Sequence, residues 1–475
     1  MKKDYILPSL NDARRRNKEV SKNVSFIMDD SYKGLGEGKH YYIITHGCQA
    51  NQRDSETMAG LLDQMGYSMC DDEKKADVII VNTCAVRQGA EEKVLGEIGA
   101  LKRLKTLNPD LIIALGGCMA QEEESVRTIM EKYRQVDIIF GTHNISSLPK
   151  LLYEVITTRT RKIEVFSGMG EVVESLPVTR FMSHKAWVNI MYGCDKFCSY
   201  CIVPYTRGKE RSRQKEDIIY EVEELVKQGY KEVCLLGQNV NAYGKDLHID
   251  YTFGDLLSDV AKTGIDRIRF MTSHPWDFDD TMIRSIKENK NIMPYIHLPI
   301  QSGNTGILKK MNRRYTREEY LALFDKLKEQ LPGYSFTTDI IVGFPNESDE
   351  AFEDTLSAYD HCQFDNAFTF IYSKREGTPA AAMEDLIDRS VKEERLQRLN
   401  EKVAYYANKK NQRFKDSIVE VLVDGVSKRN SNVYSGYTPE NKLVNFTGED
   451  IHTGDIVKVK ITEVMSFSLN GVKVD

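Results

Sequence analysis

The sequence of 475 residues has no apolar run approaching the ~20 residues that cross a bilayer, so no membrane-spanning helix is expected. Its opening, MKKDY, leads into no signal-peptide core, and a cytoplasmic protein is expected. An excess of positive charge is also missing. The formal net charge is −6, so the chain as a whole does not advertise a polyanionic partner. Hydrophobic residues make up 41% and charged residues 29%, which is ordinary for a globular chain with room for about two to four domains. Paired cysteines are not indicated either. The nine present are an odd number, and in a cytosolic-looking chain they point to metal or catalysis rather than to disulfides.

Three of the nine sit within MYGCDKFCSYCIVPYTR, from Met191 to Arg207, as Cys194, Cys198 and Cys201. Packing rarely needs three thiols so close together. A structural zinc site wants four closed ligands, yet no further cysteine comes before Cys234, and His184 lies on the other side of an apolar strand. A [4Fe–4S] cluster usually takes four thiolates as well. Three leave one iron with an open position, where a substrate or cofactor can bind.

This triplet, with Tyr200 just before its last cysteine, resembles the signature of radical S-adenosylmethionine (SAM) enzymes. The resemblance implies that the open iron chelates SAM, and that reduction cleaves SAM to methionine and a 5′-deoxyadenosyl radical. The longer stretch GCDKFCSYCIVPYTRG resembles the radical SAM methylthiotransferase family.

Residues 1–39 read as a polar, poorly ordered extension, a reading preferred over RNA contact by the RRRNK segment near Arg14. From 40 to 152 short apolar runs alternate with amphipathic stretches, which predicts an α/β domain with an open parallel sheet. Expected strands are Tyr41–Thr45, Val78–Asn82, Leu111–Leu115 and Val136–Phe140. Cys48, Cys84 and Cys118 each follow the carboxyl end of a strand, in ITHGCQ, VNTCAV and LGGCMA. Those ends share one edge of a parallel sheet, so cysteines 36 and 34 residues apart are expected to converge. The motifs GCQ-x-N-x-x-D-S, NTC and GGC-x-A-Q resemble the amino-terminal domain of methylthiotransferases, which implies a second [4Fe–4S] cluster on these three cysteines. Cys70, Cys234 and Cys362 lack such placement and read as ordinary residues.

Residues 153–184 read as a connecting segment. From 185 to 412 strand and helix alternate about six times, predicting a radical SAM partial (β/α)6 barrel with its site at the carboxyl ends of the strands. Polar groups stand at those ends in GQNVNAYG, TSHP, HLPIQSGN and TDIIVGFPNE. The resemblance implies SAM or substrate contacts for Tyr200, Gln238, Ser302 and Asp339; His274 reads equally as a loop cap or a proton carrier. Gln301–Arg317 holds five basic residues and no acid, and Lys309, Lys310, Arg313 and Arg314 are expected to contact phosphate.

Residues 413–475 read as a separate small β-barrel that resembles a TRAM domain, an RNA-binding module. Eight basic residues against nine acidic ones make its charge nearly balanced, so RNA binding there needs a local patch. Lys428 and Arg429, with aromatics such as Tyr434 and Phe446, are expected to form it.

The order of parts resembles the methylthiotransferases over Tyr41–Asp475, and GQNVNAYG with RFMTSHP resembles the MiaB-type branch. That branch methylthiolates carbon 2 of N6-isopentenyladenosine beside the anticodon of tRNA. The hydrogen on that carbon has no useful acidity, so a radical rather than a general base suits its removal. The implied partners are the tRNA anticodon loop, a reductive electron donor such as flavodoxin or ferredoxin, and a sulfur source; a monomer is expected. Two other classes stay open: a branch acting on threonylcarbamoyladenosine or a ribosomal protein, and a non-catalytic iron–sulfur protein that binds RNA. A two-cluster electron carrier would close every iron with protein ligands, and neither triplet has a fourth cysteine nearby.

Overall fold

Alternate residues of the strand Val78–Thr83 face opposite cores, and that alternation organises the first half of the chain. The computed structural model describes residues 23–85, 88–166, 171–427 and 430–475, so the RRRNK segment, Lys428 and Arg429 lie outside the described residues. The chain divides into two compact units. One comprises Met1–Phe181, Asn189–Phe197 and Cys201–Asp217; the other comprises Met182–Val188, Cys198–Tyr200 and Ile218–Asp475. No helix among the described residues is long and apolar enough to cross a membrane.

In the first unit β1 (Asn23–Ser25) stands apart from the main sheet. That sheet is built from β2 (His40–Thr45), β3 (Ser68–Met69), β4 (Val78–Thr83), β5 (Ile112–Gly117), β6 (Ile138–Phe140) and β7 (Lys162–Glu164). Its order is β3-β2-β4-β5-β6-β7, and every pair is parallel. Val78, Ile80, Ile112 and Ala114 face one core, with Leu61 and Leu62 of the helix Gln49–Gln64 and Leu151 of the helix Leu148–Thr158. Ile79, Val81, Ile113 and Leu115 face the other, with Ile98 of the helix Gln88–Leu107 and Ile129 of the helix Glu123–Lys132. Each fully buried side chain of this size stabilises the fold by about 1.5–3 kcal/mol. Both faces are covered, so β4 and β5 read as unbroken apolar runs rather than alternating ones.

Part of the expected connecting segment belongs to this unit. β7 is the sixth strand of its sheet, and β8 (Val172–Glu174) pairs in parallel with β1, from the expected polar extension. Such short strands give too little periodicity to be seen in sequence.

The second unit holds the barrel. Its strands are β9 (Lys185–Asn189), then, after the ribbon β10 (Met191–Tyr192) and β11 (Arg211–Ser212), β12 (Glu232–Leu236), β13 (Arg267–Phe270), β14 (Tyr295–His297), β15 (Ser335–Val342) and β16 (Asn366–Ile371). They form the runs β13-β12-β9 and β14-β15-β16, and a parallel bridge from Ile268 to Ile292 links β13 to the segment that enters β14. These six strands, matching the expected six alternations, make the partial barrel.

The carboxyl-terminal β17 (Ile418–Ser427), β18 (Asn430–Tyr437), β19 (Leu443–Thr447), β20 (Ile456–Val464) and β21 (Leu469–Val474) close a small barrel around Val421, Val423, Val444, Val459, Ile461 and Leu469. It is not a module standing apart. The amino ends of the large barrel's strands grip it: Lys185 binds Asp424 at 2.9 Å, Arg267 binds Glu420 at 2.7 Å, and Lys442 binds Asp365 at 3.0 Å. Arg269 donates to the carbonyls of Thr438 and Pro439 at 2.8 and 2.9 Å and pairs with Glu232 at 2.8 Å. Arg267 and Arg269 are 1% and 6% exposed, so both guanidiniums are buried at this contact.

Candidate active site

The motif spacing of the first unit has a direct physical meaning. Asn51, Asp54 and Ser55 stand at i, i+3 and i+4 on the helix Gln49–Gln64 and so share one face. Asn51 Nδ2 donates to the carbonyl of Thr83 at 2.7 Å, and Asn82 Nδ2 donates to Asn51 O and to Ser55 Oγ, both at 2.8 Å. These bonds tie the turn at Cys48 to the strand end at Cys84. Gly47 completes the approach: its φ is +117°, and a Cβ there would stand 2.8 Å from Cys84 Cβ. Gly117 is equally constrained, with φ +96° and space only for hydrogen beside Thr83 O.

The three cysteines therefore follow the carboxyl ends of the adjacent strands β2, β4 and β5, as the topology requires. Cys48 is exposed; Cys84 and Cys118 are buried. Burial pushes the Cys118 thiol up to about 12; Arg207 opposes that shift, and Cys84 and Cys48 add to it. None of the nine cysteines forms a disulfide. Among the described residues no group of three His, Cys, Asp or Glu side chains closes around a single ion. Each triplet offers three thiols, and thiolates are the usual ligands of iron–sulfur clusters, so the donor chemistry fits such a group.

Arg207 comes from the other motif. It lies in the loop after Cys201, yet its guanidinium pairs with Asp54 at 2.7 Å, and both side chains are under a tenth exposed. Ile202 and Tyr205 of that loop pack with Ala85 and Cys118, and Phe197 closes the cluster. Sequence reading missed Asn51, Asp54 and Arg207 as site residues, although the i, i+3, i+4 spacing in the motif was available as a signal.

In the second unit Cys198 is buried and its sulfur accepts a hydrogen bond from Arg313 Nη1 at 3.4 Å. Arg313 was expected to face phosphate. That expectation is corrected: the residue is 5% exposed, and its other donors bind Pro299 O and Tyr315 Oη. Tyr200 is half-buried and packs against Ile307, Met311, Phe344 and Tyr372. Lys309, Lys310 and Arg314 are exposed, and the Arg314 guanidinium lies 5.3 Å from the ring of Trp276, itself 49% exposed. That indole, in the SHPWDF stretch, is an aromatic beside cations that the sequence reading passed over. His274 is a loop cap, accepting from Trp276 N at 3.3 Å.

Inside the barrel, β15 and β16 pair Asp339 with Phe368, and β14 pairs His297 with Thr337. Thr369, on the opposite face of β16, bonds Asn400 of the covering helix Arg389–Asn411, so Thr337, Asp339 and Phe368 face the interior. A polar chain runs along it: Thr337 Oγ1 donates to Tyr295 Oη at 2.8 Å, His297 Nδ1 meets Thr337 Oγ1 at 2.9 Å, and His297 Nε2 lies 3.3 Å from Asp339. Gln238 is half-buried two residues beyond the end of β12. Ser302 is fully buried; its hydroxyl accepts from Asn304 N at 3.3 Å and lies 3.4 Å from Thr355 Oγ1, which fixes the turn.

Among the remaining cysteines, Cys234 and Cys362 are buried, and the Cys70 thiol donates to Tyr41 O at 3.3 Å. In the small barrel Phe446 is 1% exposed with Tyr434 packed on it, so the expected stacking role of Phe446 is corrected to a core role. Tyr434 stands directly opposite Phe446 in the β18–β19 register, so the two rings share the core-facing side.

Residues 188–358 match the Radical SAM superfamily, residues 40–141 match Uncharacterized protein family UPF0004, and residues 412–474 match the TRAM domain. A radical SAM methyltransferase from Kitasatospora setae, TsrM, has a similar fold, with a TM-score of 0.53 at 13% identity over 72% of this chain and 75% of that one. The fold and the cysteine loop thus define a radical SAM protein. Its curated relatives narrow that class. A tRNA-2-methylthio-N(6)-dimethylallyladenosine synthase from Bacillus cytotoxicus is 55% identical over 99% of this chain and 93% of its own length. One from Staphylococcus epidermidis is 54% identical over 98% of this chain and 91% of its own. The chain belongs to the family of tRNA-2-methylthio-N(6)-dimethylallyladenosine synthases.

Proposed function

We propose that this chain transfers a methylthio group to carbon 2 of N6-isopentenyladenosine beside the anticodon of tRNA. One [4Fe–4S] cluster is held by Cys194, Cys198 and Cys201, and a second by Cys48, Cys84 and Cys118. The observation that carries this reading is the packing of Cys118 with Ile202 and Tyr205, residues of the loop that bears the other triplet. Radical formation and sulfur delivery must act on one base, and this contact supports their proximity.

When bound, the clusters and SAM supply a low-potential electron, a carbon radical, and the sulfur and methyl to be transferred. The protein supplies position. Tyr200, Gln238, Ser302 and Asp339 form the SAM or base pocket of the barrel, with Asp339 oriented by His297. Lys309, Lys310 and Arg314 bind phosphate, with Trp276 offering a face for an unstacked base. Lys428 and Arg429 add an RNA-binding patch on the small barrel. A flavodoxin or ferredoxin donates electrons, a separate sulfur source refills the second cluster, and the enzyme works as a cytoplasmic monomer.

Mass spectrometry of tRNA nucleosides from a strain lacking the gene tests the substrate. Isopentenyladenosine should accumulate and its methylthio form disappear, with both restored by the intact gene. In vitro, tRNA lacking the prenyl group should react poorly, because burial of that group contributes at ~25 cal/mol per Å². Equal turnover of unmodified adenosine, or modification of a ribosomal protein, would overturn the reading.

A further inference from the structure

The backbone around Arg313 is built to hold that side chain inward. Asn312 and Arg314 both adopt left-handed conformations, each with φ +58°, so the segment turns sharply on either side of it. The same segment is tied to the cysteine loop: Ser199 N donates to Met311 O at 3.0 Å, and Ser199 Oγ donates to Lys310 O at 2.7 Å. All three guanidinium nitrogens are engaged. Nε donates to Tyr315 Oη at 3.0 Å, Nη2 to Pro299 O at 3.1 Å and Nη1 to Cys198 Sγ at 3.4 Å. Tyr315 Oη in turn reaches Ile300 O at 3.0 Å, which holds the phenol in place.

A guanidinium is always charged, and burying it without an anion is unfavourable. The ionisable groups that act most strongly on Arg313 are Tyr315, Tyr200 and Cys198. A cysteine thiolate is the natural counter-charge of this set. Hydrogen bonds to ligand sulfur and nearby positive charge both stabilise the reduced, more negative state of an iron–sulfur cluster.

We propose that Arg313 is a positioning residue for the cluster on Cys194, Cys198 and Cys201, raising its reduction potential through a charged hydrogen bond to Cys198. This rests on the cluster assignment made above, so the experiment separates the two. The full chain and the variants Arg313→Lys and Arg313→Gln are reconstituted anaerobically, and iron content is measured before an EPR-monitored redox titration. A wild-type chain without iron overturns the cluster assignment itself. With iron loaded, the Gln variant should show roughly a tenfold smaller ratio of reduced to oxidised cluster at the wild-type midpoint, 59 mV for one electron. The Lys variant should lie between, and the other cluster should not move. Equal potentials in the three loaded proteins overturn the role of Arg313. Should the Gln variant not load, ¹⁵N-arginine labelling of the wild-type chain supplies the answer by pulsed EPR. A nitrogen coupling to the reduced cluster, lost in Arg313→Lys, supports the proposal; its absence, or its survival in that variant, overturns it.

Discussion

Arg207 and Asp54 are 153 residues apart and form a buried ion pair of 2.7 Å. The pair joins the loop that carries one cysteine triplet to the helix that begins beside Cys48 of the other. Breaking a buried pair from one side leaves an uncompensated charge and costs about 3–5 kcal/mol. Arg207→Met and Asp54→Asn should each lower the unfolding free energy by an amount of that order. The double variant should lose less than the sum of the two, because the stranded charge is gone. Urea titration of the four proteins checks this; strict additivity would argue against the coupling.

Anaerobically reconstituted protein should hold about eight irons, four at each triplet. Changing Cys194, Cys198 and Cys201 together to Ala should leave about four and abolish SAM cleavage. Iron and zinc analysis of the purified protein decides the matter, and one zinc with no iron would sink the cluster assignment.

Replacing Cys48, Cys84 and Cys118 by Ala should stop methylthio product while some reductive SAM cleavage remains. The structure adds a cost that a separate domain would not carry. Cys118 packs with Ile202 and Tyr205, so the variant should also lose on the order of 1–3 kcal/mol of stability. Product analysis, 5′-deoxyadenosine release and thermal unfolding give the three readouts. A well-folded variant that still makes the methylthio nucleoside would remove the sulfur role of this triplet.

Truncation after Arg413 should destabilise the barrel as well as weaken tRNA binding, since the buried groups of Arg267, Arg269 and Asp365 lose partners. A gentler probe is Asp424. Burial raises its carboxyl, but hydrogen bonds and charge from His184 and Lys185 outweigh that and hold it below the ordinary value. A depressed carboxyl stabilises the fold above the unfolded value of about 3.9, and the contribution is lost as pH falls through the folded value. Asp424→Asn should therefore be less stable than the wild type at pH 7, with the gap closing below about pH 4. A gap independent of pH would count against the ion pair.

Lys309→Ala and Lys310→Ala should weaken tRNA binding with little effect on iron content. Each phosphate contact removed should reduce the slope of log affinity against log salt by about one. Trp276→Ala should weaken binding by about 1–3 kcal/mol without changing that slope, as loss of stacking does. Filter binding across a salt series distinguishes the two effects.

Much of this protein was legible in its sequence because the signals are local. Three cysteines within eight residues need no folding to be neighbours, and unbroken apolar runs followed by Gly and Cys mark parallel strands whose ends must share an edge. The six barrel strands were equally plain from their alternation with helices. The short strands β1, β7 and β8 were not, because NVS, KIE and VVE mix polar residues into three and form no apolar run.

Only the tertiary structure decided which charges face solvent and which are buried. Arg313 and Arg314 are adjacent and identical in type, yet one bonds Cys198 from inside and the other lies exposed beside Trp276. Their opposite fates come from a turn with left-handed residues, which composition does not encode. The small barrel likewise looked self-standing in sequence, but cations at the amino ends of the large barrel's strands, Arg267 and Arg269 buried among them, hold it. Sequence determined the chemistry available, since ligand types and their spacing are covalent facts. The pairing of Arg207 with Asp54 and of Arg313 with Cys198 depended on distant segments meeting, which only the packed fold brings about.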